Sequence, residues 1–294
     1  MGHAVKSVCV LVVMLASASV SLRLGTKNEE SSALRNSEPR IADGANATSN
    51  EFPYQVAIVA KGTATLRCGG ALIGKNSVLT SAYCANLGTA SDIQVVVGNV
   101  KLSTEPPSQV VDVDIIFVHE AYDISGRVND LAVLQLAQTQ NIGQPSVDVV
   151  KLRSSNVALR SQCSFTGWGS DTWNGAASDV LKKANLTILS TTDCVSQLGQ
   201  EVQVDQICAV GEGPSNACFL DEGGPLVCDG ELTGILSHSL NCGRQGKPSV
   251  YAEVAKHKAW IESHIVDAAS VNSLSLLTIL AMLTALTTFW NSAA

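Results

Sequence analysis

Two neighbouring carboxylates, Asp221 and Glu222, lie in a Gly- and Pro-rich turn bracketed by cysteines, Cys218-Phe219-Leu220-Asp221-Glu222-Gly223-Gly224-Pro225-Leu226-Val227-Cys228. A phenol, Tyr83, closes the segment Leu79-Thr80-Ser81-Ala82-Tyr83-Cys84, and a third carboxylate, Asp130, opens the apolar run Asn129-Asp130-Leu131-Ala132-Val133-Leu134. Such groups can move protons, yet together they are poorly matched to amide hydrolysis. A phenol with a reference pKa of about 10 is almost wholly protonated at neutral pH and is a poor proton acceptor. Attack by the Glu222 carboxylate on an amide would give an anhydride, less stable than the amide it replaces, with no acid placed to expel the amine. Glu222 and His238 could share a metal, but two ligands without a third make a weak site. Neither a metal nor a cofactor is expected.

The segments that must position these groups read as short strands. Val, Leu, Ile and Thr are frequent while aromatic residues are 4% of the chain, a balance that favours strand over helix. The clearest apolar or alternating runs are 55–60, 93–100, 110–118, 131–136, 184–190 and 232–237. Asp229-Gly230 between two such runs predicts a hairpin. Regular short strands with these turns predict an all-β sandwich or barrel without separating the two. A closing helix over about 253–266 would place Val254, Trp260, Ile261 and Ile265 on one side. The net charge of −7, with no local block of Lys or Arg, argues against nucleic acid as a partner.

Both ends of the 294-residue chain read as processing or targeting segments. Residues 1–21 carry Lys6, an apolar run from Val8 to Leu15 and the small residues Ala16-Ser17-Ala18-Ser19, the pattern of a secretory signal peptide. Of the nine cysteines, Cys9 lies in that leader; the remaining eight, an even number in a chain bound for an oxidising compartment, are expected to form four disulfides. Spacing alone does not fix their pairing. Residues 22–40 are polar and aperiodic and read as a propeptide. At the other end, 267–294 contains an uncharged apolar run from Leu274 to Trp290. It resembles a GPI-attachment signal, with a transmembrane helix as the alternative; the lack of Lys or Arg after the run favours GPI. Asn46-Ala47-Thr48 and Asn185-Leu186-Thr187 match the N-glycosylation sequon, and Asn46 is the one expected to be more exposed.

The cysteine-bracketed turn resembles the nucleophile loop of the chymotrypsin and trypsin family, Asp-Ser-Gly-Gly-Pro, with Glu222 at the serine position. Tyr83 then stands where the family's general-base histidine belongs, and Asp130 matches the third, retained member of the triad. The resemblance covers residues 41–266 and implies two six-stranded antiparallel barrels with the site between them, followed by a C-terminal helix. It also implies the pairings Cys68–Cys84, Cys163–Cys228, Cys194–Cys208 and Cys218–Cys242. Arg40-Ile41 looks like the family's activation junction, whose new amino terminus would pair with Asp221, although Ala42 and Asp43 depart from the usual form. Leu220 replaces the glycine whose backbone N–H forms half of the family's oxyanion hole, and a side chain there is expected to restrict the peptide orientation. Asn216 replaces the aspartate of trypsin pockets, Ser239 and Ser249 replace wall glycines, and His238 replaces a platform tryptophan; a narrowed pocket without preference for a basic side chain follows. Ser237 matches a serine that supports the triad aspartate, and the Tyr83 hydroxyl is expected to donate to Asp130. His119 matches a surface-loop histidine, and Gly167-Trp168-Gly169 a packing signature.

With two triad positions changed, the expected function is that of a secreted or surface-anchored serine protease homologue. Such a homologue would act as a decoy or cofactor in proteolysis on an extracellular protein partner: a protease, an inhibitor or a protease substrate. The alternative is a serine-type endopeptidase hydrolysing peptide bonds in extracellular proteolysis.

Overall fold

The computed structural model describes residues 44–265, apart from 64, 104–108, 171, 173, 212–214 and 241–246. The leader, the propeptide with Arg40 and Ile41, Cys242 and the apolar tail therefore lie outside the described residues. Among the described residues fourteen strands carry the fold: β1 Ala45–Asn46, β2 Gln55–Ala60, β3 Leu66–Gly74, β4 Ser77–Thr80, β5 Ile93–Val97, β6 Gln109–Val118 and β7 Ala132–Leu136 come first. Then follow β8 Lys151–Leu152, β9 Gln162–Gly167, β10 Lys182–Ile188, β11 Gln206–Gly211, β12 Pro225–Cys228, β13 Glu231–Ser239 and β14 Ser249–Glu253. Three short helices are α1 Ala82–Ala85, α2 Thr191–Leu198 and α3 Val254–Ser263. None of the described helices is long and apolar enough to cross a membrane.

The strands close into two six-stranded antiparallel barrels. The first runs β2-β3-β4-β7-β6-β5, and its interior is filled by the β-branched and Leu side chains the alternation predicts, among them Val56, Ile58, Leu72, Val95, Val111 and Leu134. In the second, the order β10-β11-β14-β13-β12-β9 closes through the β9–β10 pairing around Phe165, Leu186, Leu226, Leu236 and Tyr251. Closure leaves no open sheet edge inside either barrel. Ala71, Leu79 and Val133 of the first barrel meet Leu232, Ile235 and Val227 of the second and Val254 and Ile261 of α3 in one apolar cluster. That cluster is what seats α3, with Trp260 and Ile265 packed at its border.

The Asp229-Gly230 hairpin forms as expected, with both residues at positive φ (54° and 75°) and Cys228 paired to Glu231. Disulfides join Cys68–Cys84, Cys163–Cys228 and Cys194–Cys208; Cys218 is also disulfide-bonded, and its expected partner Cys242 lies outside the described residues. Asn46 and Asn185 are both exposed, Asn185 on the outward face of β10 between buried Ala184 and Leu186.

Candidate functional site

The two barrels touch at the turn that carries Glu222. A Cβ on Gly69 of β3 would lie 2.9 Å from Gly224 Cα, and Gly69 N–H donates to the Glu222 carbonyl at 2.8 Å. Gly223, at φ 79°, has its backbone against Gly69 and Thr80, where a side chain would collide. Glycine at these positions lets the second barrel's turn lie directly on the first barrel's wall, beside the Cys68–Cys84 disulfide.

Asp221 turns inward and is fully buried. Its two carboxyl oxygens accept the N–H groups of Gly169 (2.8 Å) and Cys218 (3.0 Å), with Gly167 and Gly169 packed so tightly around it that a Cβ on either would overlap the carboxyl. No cation among the described residues pairs with it. Burial, aided by the nearby Glu222, pushes its pKa up to about 7. The expected partner, the amino group of Ile41, lies outside the described residues.

Asp130 is also fully buried, and three donors converge on it. Ser237 Oγ donates at 2.6 Å, the backbone N–H of Tyr83 at 2.8 Å, and Arg127 Nη1 approaches at 3.4 Å. Tyr83 sits in the first turn of α1, capped by Ser81 Oγ, where a backbone N–H has no partner within the helix and is free to reach the carboxylate. The expected bond from the Tyr83 hydroxyl to Asp130 is not made. Instead the Tyr83 ring lies under the Arg127 guanidinium, 4.0 Å from its centroid, and Arg127 Nη1 also donates to the Ser237 carbonyl at 3.2 Å. Burial still raises the Asp130 pKa against these favourable contacts.

Arg127 is the residue that sequence reasoning missed. It stands three positions before Asp130 in a loop without periodicity, and no motif marks it. The loop is held from the second barrel: Gln206 Nε2 donates to the carbonyls of Arg127 (2.9 Å) and Gly126 (3.3 Å), and Asp205 Oδ2 accepts the N–H of Asn129 at 2.6 Å. Arg127 and Asn129 both take positive φ (51° and 52°), a left-handed backbone that non-glycine residues rarely adopt without tertiary support. That same Asp205 lies 3.5 Å from His257 of α3. His119 stacks against His257 and Trp260, with ring centroids 5.3 and 4.8 Å away, which accounts for it as a packing residue.

Glu222 is half-buried at the mouth of the cleft. Burial raises its pKa, and the nearby backbone N–H groups of Glu222 and Leu220, together with the Arg127 charge, oppose that rise. Leu220 does not restrict the peptide as expected: it adopts the left-handed conformation at φ 71° despite its side chain, which packs against the Trp168 cluster. Forcing a non-glycine residue there costs about 1–2 kcal/mol.

Around this centre the polar groups satisfy one another. Because Ser237 Oγ–H is committed to Asp130, the 3.2 Å contact from His238 Nδ1 makes the imidazole the donor, and His238 Nε2 then accepts from Gln200 Nε2 at 3.0 Å. Burial and the Arg127 charge lower the His238 pKa to about 4, so the ring is neutral at physiological pH. Deeper in the second barrel, buried Asn216 accepts from Ala217 N–H and Ser249 Oγ, both at 2.9 Å, and its Nδ2 donates to the Lys247 carbonyl. Among the described residues no carboxylate lies beside Asn216 at that floor to receive a basic side chain. Ser239 Oγ is buried without a hydrogen-bond partner among the described residues and lines a cleft of ≈ 560 Å³ together with Tyr83, Arg127, Phe219, Glu222 and His238.

Paired antiparallel barrels, with a buried aspartate on one and a glycine-rich turn of the other pressed against it, define the two-barrel serine protease fold. The trypsin family model matches residues 41–261, and the chain belongs to the trypsin family. It is 32% identical over 257 residues to trypsin alpha of Drosophila melanogaster, covering 86% of this chain and 97% of that one. Identity to trypsin I-P1 of Gallus gallus is 29% over 256 residues, with the same coverage. Among solved structures, neuropsin, a serine protease of mouse brain, superposes with a TM-score of 0.70 at 28% identity over 76% of this chain and 99% of its own.

Proposed function

We propose that this chain is a trypsin-fold binding or regulatory module without peptidase turnover, secreted or held at the cell surface, whose partner is an extracellular protein: a protease, an inhibitor or a protease substrate. One observation carries the reading: the cation beside Asp130 is Arg127. A guanidinium stays protonated at any physiological pH. It therefore cannot take a proton from a nucleophile and return it to a leaving amine, as the family's histidine does. The other changes work in the same direction. Tyr83 offers a phenol that stacks under the guanidinium, and Glu222 offers a carboxylate in place of an alcohol, bringing negative charge near the place where an oxyanion would develop. Loss of a triad lowers kcat by about a millionfold in a working serine protease.

The leader and the apolar tail support an outward-facing location. The rival reading, a serine-type endopeptidase, draws on the relatives, which are trypsins by name. A fluorophosphonate probe separates the two. Protein cleaved after Arg40 should remain unlabelled beside an active trypsin that labels fully under the same conditions. Labelling at any residue of this chain would overturn the proposal.

A further inference from the structure

A cavity of ≈ 300 Å³ opens on the flank of the second barrel, between the 156–159 loop, the end of β10, residues 202–208 and the start of α3. Val157, Ile188, Leu189, Val202 and Ile207 give it apolar walls, backed by the barrel core on one side and the Cys194–Cys208 disulfide on the other. Its volume lies at the low end for ligand sites, roughly 300–1,000 Å³, and suits one long side chain better than an extended segment. Val204 and Leu159 also line it, 92% and 64% exposed, the first being the most exposed large apolar side chain among the described residues.

One group in this lining contrasts with its neighbours. Glu253 is only 5% exposed, and its carboxylate makes no hydrogen bond or ion pair among the described residues. Although Glu253 occupies the N-cap position of α3, its side chain does not cap the helix. The residue is nonetheless held firmly, since its backbone N–H donates to the Asp205 carbonyl at 2.8 Å. Burial raises its pKa, opposed by the charges of Lys256 and His257 and by the nearby Val157 N–H. Lys256 lines the same cavity, but it is exposed and forms no ion pair with Glu253. Buried carboxylates are ordinarily paired, because an unpaired one forfeits its hydration without return. Here apolar walls lead to a carboxylate that still lacks its cation.

We propose that this cavity takes up an arginine side chain of a partner protein, its methylene stem between Val157 and Ile207, its guanidinium on Glu253, and apolar neighbours of that arginine on Val204 and Leu159. The guanidinium is the cation that fits best: its planar fork matches both carboxylate oxygens, and it is more weakly hydrated than an ammonium, so it enters an apolar cavity at lower cost. The stem meets the walls as long basic side chains do wherever they cover apolar surface. None of the triad positions takes part, so the site goes beyond the proposed function and stands or falls independently of it.

The test uses the full chain, isotope-labelled for amide NMR, and two capped tripeptides, acetyl-Leu-Arg-Leu-amide and the same peptide with citrulline, the neutral isostere of arginine. The arginine peptide should saturate with a Kd of about 1 mM or below, moving the amide signals of Val157, Val202 and Ile207. Citrulline should bind at least about tenfold more weakly, a difference of about 1.4 kcal/mol. Glu253→Gln, which keeps the size of the side chain, should erase that preference. Lys256→Glu, on an exposed position, should strengthen the arginine peptide about threefold or more, and it carries the test if circular dichroism shows Glu253→Gln unfolded. Equal affinity for the two peptides, a preference that survives Glu253→Gln in folded protein, or no gain from Lys256→Glu would overturn the assignment. So would signal changes confined to Gln200, His238 and Ser239 of the cleft, or absence of saturation at about 10 mM. Concentration-dependent self-association that Glu253→Gln abolishes would also overturn it, by making a second copy of this chain the occupant.

Discussion

Unfolding of the uncleaved chain should become easier by roughly 4 kcal/mol between pH 4 and pH 7 on account of Asp221 alone. Its pKa is about 7 in the folded chain against 3.8 as the ordinary value, and each unit of difference is about 1.36 kcal/mol. A carboxyl whose pKa is raised by folding binds its proton more tightly in the native state. Its contribution is therefore complete below about pH 4, falls as pH rises through the interval, and is gone above about pH 7. Exposed carboxylates with lowered values, such as Asp92 and Asp112, act in the opposite sense, so the measurement must be a difference. Urea unfolding of the native sequence and of Asp221→Asn across this range isolates the group: the gap should shift by roughly 4 kcal/mol in favour of Asn. A constant gap would show that Asp221 already has a cation in the uncleaved chain. After cleavage at Arg40 the slope should vanish if the new Ile41 ammonium enters, because an ion pair then holds the carboxylate charged at neutral pH.

Replacing Arg127 by Ala should destabilise the fold by about 3 kcal/mol. The buried Asp130 would keep the Ser237 hydroxyl and the Tyr83 N–H but lose the only cation beside it among the described residues. Tyr83 would lose its stacked guanidinium, and the Ser237 carbonyl a donor. Arg127→Lys should recover only part of the loss, since an ammonium cannot at once span Asp130 and Ser237 and lie flat on the ring. In a double-mutant cycle, Arg127→Ala with Asp130→Asn should be more stable than Arg127→Ala alone, because the stranded charge is gone. Additive effects would mean that the 3.4 Å pair carries no coupling. A catalytic corollary follows. A chain back-substituted with Tyr83→His and Glu222→Ser should stay at least about a hundredfold below a triple variant that also removes Arg127, since a displaced imidazole costs that order of rate.

Much of this architecture could be read from residue order because strand alternation and turn chemistry are local. Gln55–Ala60 was legible to the residue, and Asp229-Gly230 announced its hairpin, since each depends on neighbours in the chain. The positions of Tyr83 and Glu222 were legible for the same reason: flanking cysteines and glycines mark them. What the side chains there would do was not. Tyr83 was expected to satisfy Asp130 through its hydroxyl; the backbone N–H does so instead, and the charge comes from Arg127, whose approach depends on Gln206 and Asp205 some 80 residues away in sequence. Leu220 shows the opposite error. Its side chain argued against a left-handed turn, yet the disulfide at Cys218 and the barrel contact at Gly224 fix the turn more strongly than one residue's preference can oppose.

Each disulfide with both cysteines described links positions inside one barrel: Cys68–Cys84 in the first, Cys163–Cys228 and Cys194–Cys208 in the second. The seam between the halves is thus bridged by chain connectivity and packing rather than by any of these three covalent staples. Under mechanical load or in denaturant the halves can part along it with all three sulfur bridges intact. Arg127, Asp205 and Gln206, which reach across, would then be released together, so the cation that sits beside Asp130 also serves as a rivet in the joint.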